Sequence, residues 1–364
     1  MAKGDLFKSE ARKFRDKRTG ARIRQVTSHP SIHHHPFFLV PAYDDAMRWL
    51  FFISHRHGHP EIFAEIRATG ELQQITDRPD LNEWSIYPSH SGDYVYYTAG
   101  KGAYRMNLNT FEEELLLDLS NYVVRDKGMV GSAMGTTALS FCDRYWAIRV
   151  SSGEESFLFI IDTDTGKSEL ILRRDHISHM MFCPDDSNLL FYAGPLTDRV
   201  WCIRKDGTDN RRLYQRKHGE WITHESWIPH SWEVAFVDWP KGIRAVNVKT
   251  GRVRQVTTFN AWHAICNRDG TLMVADTNFP DIGLQLFNPL DGIGKPTTLC
   301  YPEASSIGEH WAGPFPYEKG PVKVYAPQHT HPHPSFSPDG KFVVYTSDCT
   351  GYSQVYEVEV SGEM

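Results

Sequence analysis

The sequence predicts an all-β chain folded as a single seven-bladed β-propeller with four-stranded blades. Three observations carry this. Helical periodicity is hard to find after the first 18 residues, and short apolar or alternating runs recur instead at 49–54, 94–98, 145–150, 157–162, 189–193, 234–238, 272–276 and 342–347, bounded by Gly, Asp, Asn and Pro. A strand–turn–strand motif also repeats. Finally, one segment near the N-terminus copies an outer strand that has no blade of its own.

The clearest copy of the turn motif is Phe336-Ser-Pro-Asp-Gly-Lys-Phe-Val-Val-Tyr345, and the stretches from Phe182 to Phe191 and from Trp227 to Phe236 repeat it. Looser copies begin at Tyr87 and Ile265, and the weakest at Tyr43 and Phe141. Seven copies, mostly about 40–50 residues apart, have the spacing of propeller blades. Turns into the outer strands recur as Asp162-Thr-Asp-Thr-Gly-Lys, Asn247-Val-Lys-Thr-Gly-Arg and Arg67-Ala-Thr-Gly-Glu-Leu. The stretch Thr19-Gly-Ala-Arg-Ile-Arg-Gln-Val-Thr27 matches Thr250-Gly-Arg-Val-Arg-Gln-Val-Thr257 but has no blade in front of it, whereas the last blade stops after its third strand at 353–360. Residues 21–27 therefore supply the missing outer strand of the last blade and close the ring, which removes a free sheet edge. Residues 1–18, charged and poor in apolar side chains, are expected as a surface arm, and residues 19–364 as the propeller. The connection 301–327, near the channel mouth, shows no strand pattern, and loops of that length are usually functional or disordered.

Composition limits the function. Of 364 residues, 40% are hydrophobic, 23% charged and 13% aromatic, values of a globular domain. A net charge of −6 argues against nucleic acid as a partner, although a local cluster of His, Arg and metal can still hold an anion. No run approaches the roughly 18 apolar residues that cross a bilayer, so no membrane association is expected. The charged N-terminus lacks the apolar core of a secretory signal and the six Cys lack C-x-x-C spacing, so a cytoplasmic location is expected. Cys183, Cys202 and Cys266 sit in strand-like surroundings and are expected as buried thiols.

The 18 histidines are unevenly placed. The innermost strand of each blade precedes the tight turn and lines the channel. Three residues before each turn anchor lies one equivalent position per blade: His179, His224, His333, Trp84 and Trp262, the last followed by His263. Equivalent positions must converge on one end of the channel. His331 and His333, two apart on a strand, point to one side. With His263 from the neighbouring blade and Gln328 just upstream, three imidazoles and a carbonyl oxygen suit Mn²⁺, Fe²⁺, Ni²⁺ or Zn²⁺ better than Ca²⁺. A lone histidine at a strand end is more often structural, but three at one repeat position beside a His-Pro-His are harder to dismiss. His33-His34-His35 precedes an inner strand expected at 37–41, with one ring facing the channel. His55, His57 and His59 alternate after a strand and are a weaker candidate for a second metal site. Most arginines placed as Arg199 is are surface residues.

The string Gln328-His-Thr-His331-Pro-His333-Pro-Ser-Phe-Ser-Pro resembles the metal-binding Q-x-T-H-P-H-P-S-F motif of the oligogalacturonate lyases, a family of seven-bladed-propeller polysaccharide lyases. Thr223-His224-Glu-Ser-Trp-Ile-Pro229 is similar to that family's T-H-E-x-W-x-P, whose His is the catalytic base, and His263 matches its remaining metal-binding histidine. The resemblance spans nearly the whole chain. It implies Mn²⁺ held by His263, Gln328, His331 and His333, His224 as base, Arg199 and His179 as active-site residues that contact substrate, and an anionic uronate oligosaccharide as partner. An imidazole with an ordinary pKa near 6.5 suits a base. On this reading Arg199 holds a carboxylate bidentately or steadies the developing enolate, and His179 orients substrate or helps protonate the leaving oxygen. The family's H-R-N-Y-F-Y appears here as His34-His35-Pro36-Phe37-Phe38-Leu39, which keeps only His34 as a substrate contact; the segment 194–199 is shortened, and the 301–327 loop differs. The expected chemistry is β-elimination giving 4,5-unsaturated products, by a monomer or homodimer. Rival readings are a lyase for glucuronate- or rhamnogalacturonan-derived oligosaccharides, or a non-catalytic TolB-like binding propeller. A propeller attached to a hydrolase is disfavoured, since the chain has no G-x-S-x-G.

Overall fold

The computed structural model of the protein describes residues 2–122, 137–152, 154–278, 280–291, 293–305 and 330–360. Its strands form seven antiparallel sheets, each one blade. From the channel outwards, blade 1 is built from His33–His34, Trp49–Ser54, Glu61–Ile66 and Leu72–Gln74, and blade 2 from Tyr87–Pro88, Tyr94–Ala99, Gly102–Asn107 and Glu113–Asp118. Blade 3 comprises Thr137–Leu139, Tyr145–Ser152, Glu155–Asp162 and Ser168–Arg174; blade 4, Ser178–Cys183, Asp186–Ala193, Val200–Arg204 and Arg211–Arg212. Blade 5 has Ile222–Ile228, Glu233–Asp238, Gly242–Asn247 and Val253–Thr257; blade 6, Ala261–Cys266, Met273–Thr277, Leu284–Phe287 and Thr297–Cys300. Blade 7 has Ser335–Phe336, Phe342–Ser347 and Gln354–Glu359, completed by Arg22–Gln25. Inner strands of consecutive blades from 2 to 7 pack side by side, and blade 7 packs against the inner strand of blade 1. The chain is a seven-bladed propeller.

The repeated turn has a physical cause. In the copies at Ser89, Ser140 and Ser337 the hydroxyl accepts the backbone N–H five residues on, from Tyr94 at 3.0 Å, Tyr145 at 2.9 Å and Phe342 at 3.0 Å. The same serine's carbonyl accepts from Gly92, Asp143 or Gly340. That third position lies in the left-handed region, with φ of 71°, 60° and 69°, which favours Gly and tolerates Asp. Thus Ser and Gly or Asp recur at fixed offsets because the hairpin's donors need that hydroxyl and that φ.

Ring closure follows the expected route. Ile23, Arg24 and Gln25 pair with Val358, Glu357 and Tyr356. Arg24 donates to Glu357 and Glu65, and Arg67 reaches the same two carboxylates at 2.8 and 3.1 Å. Tyr43 donates to Glu357 at 2.8 Å. Glu65 belongs to blade 1 and Glu357 to blade 7, and both are fully buried. One ionic cluster therefore fastens the N-terminal strand to the first and last blades at once. Residues 1–18 are expected as an arm, and residues 2–18 lie against the ring: Leu6–Phe7 adds a fifth strand to blade 1 and Arg12–Arg15 a fifth to blade 7. Asp16 accepts the Tyr301 N–H at 2.8 Å at the edge of blade 6.

The chain departs from expectation at its first inner strand. His33 and His34 themselves form that strand, paired with Ser54 and Ile53. Residues 37–39 turn inwards instead, and Phe37 and Phe38 bury their rings in the core that blades 4 to 7 share. The apolar run at 37–41 that reads as a strand is channel filling. Cys183, Cys202 and Cys266 are buried thiols. Among the described residues no helix is long and apolar enough to cross a membrane. Of the 301–327 connection, residues 306–327 lie outside the described residues.

Candidate metal and catalytic centre

The inner strands of blades 4, 5 and 6 lose register at one level, between Ser178 and Met180, Thr223 and Ser226, and Ala261 and Ala264. The residues inserted at these bulges are His179, His224 with Glu225, and Trp262 with His263. A bulge re-aims side chains that a regular strand would send into the sheet. His179, His224 and His333 have φ of 28°, 50° and 44°, a conformation that costs about 1–3 kcal/mol per non-glycine residue and persists only where the surroundings enforce it. The rings converge: His179 stacks on His224 with centroids 5.4 Å apart, His224 lies 4.2 Å from His263, and His263 4.2 Å from His333. Phe37 and Phe38 pack against these rings.

His263, His331 and His333 offer ring nitrogens that all lie within 4.8 Å of one another, and all three side chains are buried. Asp276 orients the set. Its carboxylate accepts the His263 Nδ1–H at 2.8 Å, the His263 amide at 2.6 Å and the His333 amide at 3.2 Å. The His263 proton is thereby placed on Nδ1, leaving the Nε2 lone pair for the centre. His333 is steadied by His35, whose Nε2 lies 2.7 Å from the His333 carbonyl oxygen. The His333 Nε2 is buried and has no hydrogen-bond partner among the described residues. Burial and the neighbouring histidines push the His333 pKa well below the ordinary imidazole value. Neutral, inward lone pairs are what a cation requires, and these residues fit a divalent metal.

One expectation changes here. Residues 331–334 are not a strand, so same-side projection along a strand does not explain the His-Pro-His pair. Their rings nevertheless lie 5.1 Å apart, with the backbone turned at His333. Gln328, the expected fourth ligand, lies outside the described residues.

Beside His224, Arg199 spans the gap between blades 4 and 5. Its Nε donates to Glu225 at 2.9 Å and its Nη2 to His179 Nδ1 at 2.8 Å. Arg199 is 6% exposed and Glu225 fully buried, so the guanidinium compensates a carboxylate cut off from water. Burial alone would raise the Glu225 pKa, but the Arg199 charge carries it below the ordinary range. A guanidinium has no acceptor, so His179 Nδ1 must present a lone pair and its proton sits on Nε2. Burial brings the His179 pKa down to about 4. Burial, then the nearby His263, His179 and Arg199, hold His224 well below its ordinary value. Both rings are neutral at physiological pH. With Nε and Nη2 committed, Arg199 cannot grip a substrate carboxylate with its whole fork as the sequence suggested.

The sequence pattern of the family described as oligogalacturonate lyase matches residues 1–364. The chain belongs to the oligogalacturonate lyase family. This makes it an enzyme, a polysaccharide lyase. The oligogalacturonate lyase of Dickeya dadantii (strain 3937) is 28% identical over 398 residues, covering 99% of this chain and 98% of that protein. The oligogalacturonide lyase of Pectobacterium atrosepticum is 26% identical over 396 residues, with 99% and 98% covered. A solved oligogalacturonate lyase in complex with manganese superposes with a TM-score of 0.83 at 24% identity, covering 100% of this chain and 99% of that one. The Vibrio parahaemolyticus oligogalacturonate lyase follows at 0.82 and 22%, with 99% of each chain covered. The two structures establish the fold.

In this lyase, sequence reasoning overlooked two carboxylates, Asp276, which sets the ring proton of His263, and Glu225, which holds Arg199 beside His179. The available signal was an acid inside an apolar strand, Met273-Val-Ala-Asp-Thr277, since carboxylates are almost never fully buried unless paired. The His55, His57 and His59 run lies in a turn and does not converge: His59 pairs with Glu61 at 2.9 Å, whereas His55 reaches Glu83 at 2.6 Å. His34 stacks on Trp84 at 4.2 Å on the blade 1 side of the same mouth.

Proposed function

We propose that the chain cleaves short 4-linked uronate oligosaccharides, oligogalacturonate foremost, by metal-dependent β-elimination to 4,5-unsaturated products. The observation that carries this reading is the contact of a neutral, buried His224 with His263 of the three-histidine set. Bound to His263, His331 and His333, with Gln328 as the fourth ligand that the family resemblance implies, a divalent cation (Mn²⁺ by the same resemblance) would supply Lewis-acid stabilisation of charge on the substrate carboxylate. His224 takes the C5 proton and later returns it to solvent; the C–H electron pair becomes the C4=C5 bond as the C4–O bond breaks, and the leaving oxygen takes a proton from water. His179, with its proton on Nε2, donates a hydrogen bond to a substrate oxygen. Arg199 has Nη1 left to meet the developing enolate, and its bonds to Glu225 and His179 hold the His179 ring in place. His34 contributes a substrate contact from blade 1.

The test follows the ultraviolet absorbance of the conjugated double bond on digalacturonate and on other uronate dimers, with Mn²⁺, with chelator, and with His224→Ala. A metal-dependent rise that falls by about 10²–10⁴-fold in the variant supports the reading. The substrate giving the fastest rise names the sugar. No rise on any uronate would sink it.

A further inference from the structure

We propose that His34, His55 and Glu83 form a second divalent-cation site at the mouth of the channel. Each offers one ligand atom, and these atoms lie within 4.8 Å of one another. His55 Nε2 and His34 Nε2 both face Glu83 Oε2, at 2.6 and 3.3 Å. The other His34 nitrogen decides what this means. Nδ1 lies 3.0 Å from the carbonyl oxygen of His35, and a carbonyl only accepts, so Nδ1 carries a proton. In the neutral ring, Nε2 is then a lone pair aimed at a carboxylate oxygen. Two electron-rich atoms at that separation need positive charge between them. A metal ion held by both atoms can supply it, as can a further proton on either group.

The surroundings favour the ion. The His34 ring is pinned against Trp84, with planes 29° apart, so its lone pair is fixed in direction as ligand rings are. Its side chain is 2% exposed, whereas His55 and Glu83 are 19% and 20% exposed. The set is therefore shut off from solvent at His34 and reached by it at His55 and Glu83. Two imidazoles and one carboxylate match Zn²⁺, Mn²⁺ or Ni²⁺. The indole of Trp84 separates the two centres, in contact with His34 on one side and 6.4 Å from His333 on the other. Each ion would thus act alone rather than in a bridged pair. If the proposed function holds, a uronate oligomer carries a carboxylate on every sugar, and the second ion takes the carboxylate of a sugar next to the one being cleaved. His34 then touches substrate through this ion.

Chelator-stripped full-length chain is titrated with Mn²⁺, and free Mn²⁺ is read by its paramagnetic resonance signal. Wild type should bind two equivalents, and His55→Ala, Glu83→Gln and His333→Ala one each, with melting curves checking that every variant folds. One equivalent in wild type, unchanged in His55→Ala and Glu83→Gln, would overturn the second site in favour of a proton and leave the proposed function standing. Two equivalents that persist in both of those variants would overturn its location. A single equivalent lost in His55→Ala but kept in His333→Ala would support the second site and sink the first. No binding at all would overturn both.

Discussion

Asp276 shows how much of the centre depends on a residue that faces no substrate. By fixing the His263 tautomer and anchoring the His333 amide, it pre-sets two of the three nitrogens offered to an ion. Asp276→Asn keeps the shape and reverses one hydrogen-bonding preference. It should weaken Mn²⁺ binding about 10–100-fold, read from the same titration, with little change in melting temperature. Glu225→Gln should act differently: it leaves the Arg199 charge buried and unpaired, costing about 3 kcal/mol of stability as measured by urea denaturation. The histidines were legible in the sequence because a repeat maps equal offsets onto equal places around the ring. Their carboxylate partners were not, because Asp276, Glu225 and Glu83 hold no shared offset from the turn. Each is selected by its neighbours in space.

Within a blade, the tight turns were legible and the bulges were not. A turn requires particular residue types, Ser to accept and Gly or Asp at positive φ, and these leave a mark in the sequence. A bulge is a slip in pairing that many residues tolerate, so nothing in Thr223-His224-Glu225-Ser226 announces it. Its trace is energetic. At the φ of 50° adopted by His224, Asn is tolerated and Val is not. His224→Val should therefore be less stable than His224→Asn by about 1–2 kcal/mol, although both lose the imidazole; comparing their denaturation midpoints checks this. Another link joins neighbouring turns. Asp143 of blade 3 accepts from the His90 ring at 2.7 Å and from the amides of His90 and Ser91 at 2.8 and 2.9 Å. Burial alone would raise its pKa, but those donors hold it below the ordinary 3.8. A lowered carboxylate stabilises the fold above its unfolded-state value, and that contribution disappears as pH falls through the folded-state value. Stability should thus drop below about pH 4, and less steeply in Asp143→Asn, as followed by thermal melts across acid buffers.

At the scale of the whole ring, the closing strand was readable because the chain writes the same outer-strand phrase twice, at 19–27 and 250–257. The fifth strands at 6–7 and 12–15 were not, since segments so short carry little periodicity. The closure rests on the buried cluster of Arg24, Arg67, Glu65, Glu357 and Tyr43. Arg24→Ala removes one cation from two buried carboxylates and should lower stability by about 3 kcal/mol, measured by chemical denaturation.

Arg22–Gln25 leaves the ribosome before the seven blades, and its partner, Gln354–Glu359, leaves only after the other strands of all seven. That closing strand must wait through the synthesis of every blade before its hydrogen bonds to the last one can form. Until then the growing chain exposes a sheet edge at its leading blade and another at its newest. A translation product halted before residue 354 can hold folded blades, yet it cannot shut.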